Sequence, residues 1–158
     1  MINPVGTSTQ VLGVGDRIMQ SYDPLTPAER SERMSLIRNA DTKPEMIVRR
    51  LIHGMGYRYR LHSKDLPGHP DLVFRPRKKV VFVHGCFWHQ HGCRQYRQPR
   101  SKRTFWLPKL EGNKERDKIN QEKLRLMGWK FLVIWECELQ NTDKLEKRIT
   151  EFLGEKEK

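Results

Sequence analysis

Cysteine is scarce in this chain, with three in 158 residues, at positions 86, 93 and 137. An odd number leaves one thiol over from any disulfide framework, and metal ligation accommodates that better. Long apolar runs are absent too. No stretch approaches the ~20 residues of a helical membrane span. The N-terminus has no charged region followed by an apolar core, so no secretory leader is expected. A cytoplasmic location, where thiols stay reduced, is the expectation that follows. There are no internal repeats and no linker long enough to divide the chain, whose length suits one domain. Acidic residues are in deficit, 19 Asp and Glu against 31 Lys and Arg, for a formal net charge of +12. That excess favours a polyanionic partner, of which nucleic acid is the common one.

What the chain does have is concentrated between His84 and Cys93. Those ten residues hold three histidines, two cysteines and the pair Phe87-Trp88. Imidazole and thiolate are zinc ligands, and imidazole is also the side chain best suited to proton transfer near neutral pH. Adjacent aromatics in a basic protein can stack on bases or wedge between them. One loop can therefore serve as metal site, hydrolytic site and DNA probe.

Residues 1–25 show no apolar period and read as a flexible arm, with the ordered domain spanning 26–158. Thr26-Pro27-Ala28-Glu29 opens a helix by a capping box with Pro at its first position, and this helix carries Met34 and Ile37. Thr42-Lys43-Pro44-Glu45 repeats the signal, and Ile47, Leu51 and Met55 follow at four-residue spacing up to the stop at Gly54 and Gly56. Tyr57, Tyr59 and Leu61 alternate as a half-buried strand. Further strands are read at 71–74, 80–83 and 129–135. Residues 94–104 read as a basic turn. A helix is expected from about Asn113 to Met127 with Ile119, Leu124 and Met127 inward, and a last one capped by Thr142 with Leu145, Ile149 and Phe152 inward. This order predicts an α/β fold, a small mixed sheet flanked by helices.

Cys137 follows a buried strand, so folding can carry it to Cys86 and Cys93. Three thiolates need one imidazole to close a tetrahedral zinc site. His84, His89 and His91 compete for that place, and spacing leaves the choice open. A hairpin joining the strands after Asp71 and before His84 would bring the Asp71 carboxylate to the backbone of Val83 and His84. Carboxylate and main-chain carbonyl are both hard oxygen ligands for Mg2+. His89 could take a proton from water, with His84 at the phosphate or leaving group. Asp117 could orient a histidine, and Glu45 could hold metal-bound water.

These residues, in order, resemble the very-short-patch repair (Vsr) DNA mismatch endonucleases. The matching blocks are Arg30-Ser31 with Met34, Leu66-Pro67-Gly68 with Pro70-Asp71, and His84-Gly85-Cys86-Phe87-Trp88-His89. Thr104-Phe105-Trp106-Leu107, Glu115-Arg116-Asp117, Gly128-Trp129 and Trp135-Glu136-Cys137 complete them. The resemblance runs from about Arg30 to about Leu139. It implies a restriction-endonuclease-like core with an inserted structural zinc site, and nicking of duplex DNA 5′ to the T of a T:G mismatch, the product of 5-methylcytosine deamination. It implies structural zinc on Cys86, His91, Cys93 and Cys137, and catalytic Mg2+ on Asp71 and the carbonyl of Val83. His89 would be the general base, supported by Asp117, with His84 and Glu45 assisting. Phe87, Trp88 and Trp106 would enter the DNA beside the mismatch, Lys109 and Asn113 would read the pair, and Met34 and Ile37 would grip the minor-groove side. The expected protein is a monomer acting on duplex DNA, linked functionally to a cytosine methyltransferase and to mismatch-repair proteins.

The chain departs from the family pattern at Val83, where relatives often carry a hydroxyl. Gln90 and Gly92 interrupt what can be an all-histidine run. Gly85 stands where restriction-like nucleases usually place a lysine, so histidines must replace its role. Two other readings fit the same charge and motifs: a dimeric restriction-type nuclease that cuts both strands of matched DNA, and a non-catalytic zinc DNA-binding protein.

Overall fold

Two short apolar segments, Leu72–Phe74 (β2) and Lys79–His84 (β3), are joined by the 3-10 turn Arg75–Arg77 and pair antiparallel, with Leu72 opposite Val81. Such a pair needs only a tight connection. Arg60–Leu61 (β1) adds antiparallel to the outer side of β2. Lys130–Trp135 (β4) lies parallel to β3 along six residue pairs, from Lys79 with Lys130 to His84 with Trp135. The sheet order is β1-β2-β3-β4. Parallel neighbours require a long crossover, and the His/Cys loop and the helix Arg103–Leu126 (α2) supply it. Helices Lys43–Gly54 (α1) and Thr142–Leu153 (α3) complete the mixed α/β fold. This is a computed structural model describing residues 26, 28–29, 32–33, 40–100 and 102–155. None of the described helices is long and apolar enough to cross a membrane.

The side-chain alternation of a strand sorts residues to two faces. Leu72, Phe74, Val81, Leu132 and Ile134 meet Val48 and Ile52 of α1 and Leu145, Ile149 and Leu153 of α3. Val73, Val80 and Phe82 meet Leu66 and Leu124 on the opposite face, with Phe131 and Val133 packed beside them. The central strands are covered on both sides, which is why they read as nearly continuous apolar runs.

Several expected details differ. The four-residue spacing put Ile47, Leu51 and Met55 inward on α1; Leu51 and Met55 do pack against the core, but Ile47 is exposed and the buried row is Glu45, Val48, Arg49 and Ile52. A buried ion pair between Arg49 and Glu45 turns this face inward, and an apolar count misses it. Only Arg60–Leu61 of the expected 57–61 strand forms ladder pairs, and Leu61 is exposed while Tyr57 is buried. Helix α2 starts at Arg103 rather than about Asn113. Its N-cap residue, Lys102, does not cap the helix through its side chain and Pro108 lies inside it, so its first turns carry no start signal. Leu124 is fully buried as expected, but Ile119 and Met127 are exposed. Asn141, not Thr142, caps α3, accepting from the Lys144 N–H at 3.1 Å. The reciprocal Thr26–Glu29 capping bonds are present at 2.7 and 3.2 Å. The proposed arm at 1–25, and Met34 and Ile37, lie outside the described residues.

Leu124 is the one residue of α2 in the second core, so Leu124→Ala should cost about 2–5 kcal/mol in denaturant unfolding. A loss under about 1 kcal/mol would mean that α2 does not anchor this face.

Candidate active site and metal centre

Antiparallel pairing sets the start of β2 beside the end of β3. Asp71, one residue before β2, therefore accepts a 2.7 Å hydrogen bond at Oδ2 from the Val83 N–H. Ahead of it, the loop Leu66-Pro67-Gly68 closes over α2. Gly68 has φ +78°, and a Cβ there would meet Asn120 Cβ at 3.1 Å and Phe82 Cε1 at 3.2 Å. Burial pushes the Asp71 carboxyl up to about 6, against the Val83 N–H, and the Glu45 carboxylate adds to the rise. A carboxylate made costly in this way gains from a bound cation.

Val83 packs towards α1, so the next residue, His84, projects to the α2 side. There it stacks on His89, ring centroids 3.7 Å apart and 8° from parallel. Asp117 on α2 accepts or shares a proton with His89 Nδ1 at 2.5 Å, and lies 3.9 Å from His84 Nδ1. Burial, helped by the adjacent His89, pushes His84 down to about 4 despite Asp117. It is therefore a neutral imidazole at physiological pH. His89 is tied at Nδ1, which leaves Nε2 for a proton transfer.

The backbone of the loop then turns back, His91 N–H to Cys86 carbonyl at 3.0 Å. Ligand atoms of Cys86, His91, Cys93 and Cys137 all lie within 4.8 Å of one another. His91 Nδ1 is 3.7 Å from Cys86 Sγ and 3.5 Å from Cys137 Sγ. A tetrahedron with Zn–S about 2.3 Å and Zn–N about 2.0–2.1 Å has S···N edges of roughly 3.6 Å. The donor set and its spacing thus fit zinc. Burial holds the metal-free Cys86 thiol up at about 12 and raises Cys137 as well, a cost that metal binding would relieve. Of the three histidines that spacing left in competition, the geometry groups His91 with the thiols and His84 with His89 and Asp117.

Aromatic rings gather beside this loop. Phe87, Trp88 and Trp106 contact one another with centroids 5.2–6.0 Å apart. Gly85 allows the fold-back, since a Cβ there would meet Trp88 Cδ1 at 3.2 Å. Lys109 Nζ sits 5.8–5.9 Å from the rings of Trp88, Phe105 and Trp106, and Phe105 is half exposed. Asn113 donates to the Trp88 carbonyl at 3.1 Å.

The family described as DNA mismatch endonuclease Vsr matches residues 22–95. The type II nicking enzyme V.XorIIP of Xanthomonas oryzae is 48% identical over 131 residues, 83% of this chain and 96% of its own. The Vsr DNA mismatch endonuclease of Escherichia coli is 40% identical over 129 residues, covering 81% and 83%. The type II nicking enzyme V.NmeAIP of Neisseria meningitidis is 41% identical over 133 residues, covering 84% and 95%.

This chain belongs to the Vsr family.

Lys109, Asn113 and Asp117 of this Vsr-family chain reach the site on α2, and Cys137 follows β4. Three residues of this Vsr-family site escaped the sequence reading. Trp135 stacks on His91, centroids 4.1 Å apart and 6° from parallel, and presents its edge to His84. Arg49 and His62 surround Glu45, whose carboxylate also closes the capping box with Thr42. Arg49 stands four residues after Glu45, the spacing of a helical ion pair, but nothing in the spacing of His62 signalled its place, because β1–β2 pairing brings it there. Trp135 could have been found from its place before Cys137.

A carboxyl whose pKa is higher folded than unfolded holds its proton more tightly when folded. The resulting stability is present at low pH and lost as pH rises from about 4 through about 6. Asp71→Asn imitates the protonated form. Without added divalent ions it should therefore be more stable than the parent by roughly 1–3 kcal/mol at pH 7, with the gap closing below about pH 4. A variant less stable than the parent at pH 7 would contradict the costly burial of the Asp71 carboxylate.

Proposed function

We propose that the chain is a monomeric endonuclease that nicks one strand of duplex DNA 5′ to the T of a T:G mismatch, initiating very-short-patch repair. The observation that carries this reading is the joining of two groups through the consecutive residues Val83 and His84. Asp71, bonded to Val83, offers an electronegative cation site. His84, stacked with His89 above Asp117, offers a proton acceptor. The reading includes a restriction-endonuclease-like core in one domain from residue 26 onward, preceded by a flexible arm.

Asp71 and the carbonyl of Val83 would hold Mg2+, with Glu45 towards its water ligands. Magnesium there would polarise the scissile phosphate and stabilise charge on the leaving oxygen. Asp117 orients His89 through Nδ1, so that Nε2 takes the proton of the attacking water. Neutral His84, held against His89, faces the phosphate or leaving group as a hydrogen-bonding partner. Cys86, His91, Cys93 and Cys137 would hold a structural zinc that fixes the loop carrying His89 and the aromatic pair. Phe87, Trp88 and Trp106 would wedge beside the mispair, with Lys109 and Asn113 reading it and Met34 and Ile37 gripping the other groove. A wobble pair stacks less well than a matched one, so opening the stack beside it costs less, and that difference supplies selectivity. The substrate mismatch arises at methylated cytosines, which links the enzyme to a cytosine methyltransferase and to mismatch-repair proteins working on the same DNA.

Strand-resolved cleavage of end-labelled duplexes tests the reading, with T:G pairs in several methyltransferase-site contexts beside matched C:G controls. One Mg2+-dependent nick 5′ to the T, absent with EDTA and reduced about 100–1,000-fold in Asp71→Asn, is the expected result, since removal of one electrostatic group at a reacting centre typically costs that much. Cuts in both strands of matched DNA would favour a dimeric restriction enzyme, and binding without cleavage a zinc DNA-binding protein. Trp88→Ala should reduce nicking at the mismatch more than it weakens binding to matched duplex. Equal losses on both would remove the wedge.

A further inference from the structure

The face of α1 beside Asp71 holds a second group of metal-type ligands, one that already contains a cation. Ligand atoms of Asp41, Glu45 and His62 lie within 4.8 Å of one another. Between them sits the guanidinium of Arg49, a residue only 7% exposed. Its Nη1 donates to Asp41 Oδ1 at 2.7 Å, and its Nη2 donates to Glu45 Oε1 and reaches His62 Nε2 at 2.6 Å. A guanidinium only donates hydrogen bonds, so His62 Nε2 must present its lone pair, as it would to a metal. His62 is held with φ +47°, and its N–H reaches the Asp71 carbonyl at 3.4 Å, which ties this group to the neighbouring carboxylate. Arg49 is also an imperfect occupant. Among the described residues its Nε is a buried donor with no partner.

We propose that Arg49 is a resident cation that fills a second cation site beside Asp71. It acts as a positioning residue: it holds the Glu45 carboxylate and keeps a divalent ion out of the Asp41–Glu45–His62 group, so that only the Asp71 side takes one. The guanidinium satisfies all three acceptors at once, which a lysine ammonium could do only as a compact point charge. Replacing it by an uncharged side chain leaves two carboxylates and an imidazole lone pair converging on the vacated space, a ligand set suited to Mn2+. The proposal concerns the same site as the reading of Asp71 as the magnesium ligand, and rests on it only for the statement that the Asp71 side takes an ion.

The test counts Mn2+ bound per chain, by electron paramagnetic resonance of the free ion, in protein loaded with zinc. Arg49→Met should bind one Mn2+ more than the parent, and Arg49→Lys no more than the parent. Adding Asp41→Asn to Arg49→Met should weaken the extra site at least tenfold. Because Arg49→Met leaves the buried Glu45 carboxylate uncompensated, its melting temperature should be low without Mn2+ and rise with Mn2+ by more than the parent's does. An unchanged count in folded Arg49→Met overturns the proposal, as does a variant that stays unfolded in millimolar Mn2+. In an Asp71→Asn background both counts should fall by one while their difference persists. If neither count falls, the magnesium reading of Asp71 fails while the role of Arg49 stands.

Discussion

The parallel pairing of β3 with β4 is the constraint on which the rest of the molecule depends. Its last step sets His84 opposite Trp135. From that point one strand continues into the His/Cys loop and the other into the turn that carries Cys137. Without the ladder, Cys137 would have no reason to approach a loop 44 or more positions earlier in the chain, and Trp135 would not lie flat on His91. Parallel strands demand a crossover, and here the crossover also builds the candidate site, since α2 brings Asp117 to His89 and Lys109 to the aromatic rings. Arg148 braces the same end, pairing with Glu138 and donating to the Val133 carbonyl at 3.1 Å, while Glu138 accepts from the Trp135 N–H at 2.8 Å.

Three histidines within eight residues are given different surroundings at this end of the sheet. His84 is buried and neutral, His89 is tied to a carboxylate, and His91 is sandwiched against an indole next to three sulfur atoms. A carboxylate at one ring nitrogen fixes an imidazole's tautomer and orientation, and a ligand set that takes up the ring nitrogen would remove its freedom to move a proton. On the other face of β3, the excess of carboxylates around Asp71 is balanced internally by Arg49. The strand thus separates a sulfur-rich cluster from an oxygen-rich one, and the stacked His84 and His89 stand between them.

Much of this was legible in the sequence because it rests on local rules. The strands read at 71–74 and 80–83 and the Pro-Asp at the start of the first predicted the hairpin, and the hairpin brought Asp71 to Val83. The density of Cys and His predicted a ligand cluster, though spacing could not choose among the histidines, since the choice depends on which way each strand residue faces. The start of α2 was missed because its first turns lack a capping side chain and contain Pro108, so aromatic packing rather than local propensity accompanies them there. The inward face of α1 was misread because a buried Arg–Glu pair looks polar to any apolar pattern. His62 was invisible for a simpler reason: it faces Glu45 only through strand pairing. Family membership, by contrast, was readable from motif order alone and agrees with the relatives.

The central claim of this account is that the end of the β3–β4 ladder divides its histidines between a closed sulfur-rich metal site and an open acid–base pair. Zinc K-edge X-ray absorption on the purified protein measures that division directly. The account predicts one zinc per chain with three sulfur neighbours at about 2.3 Å and one nitrogen at about 2.0–2.1 Å. That shell should be unchanged when His84 and His89 are both replaced by alanine and should lose its nitrogen when His91 is. A shell with two or more imidazole nitrogens, or one that changes with His84 or His89, would contradict it.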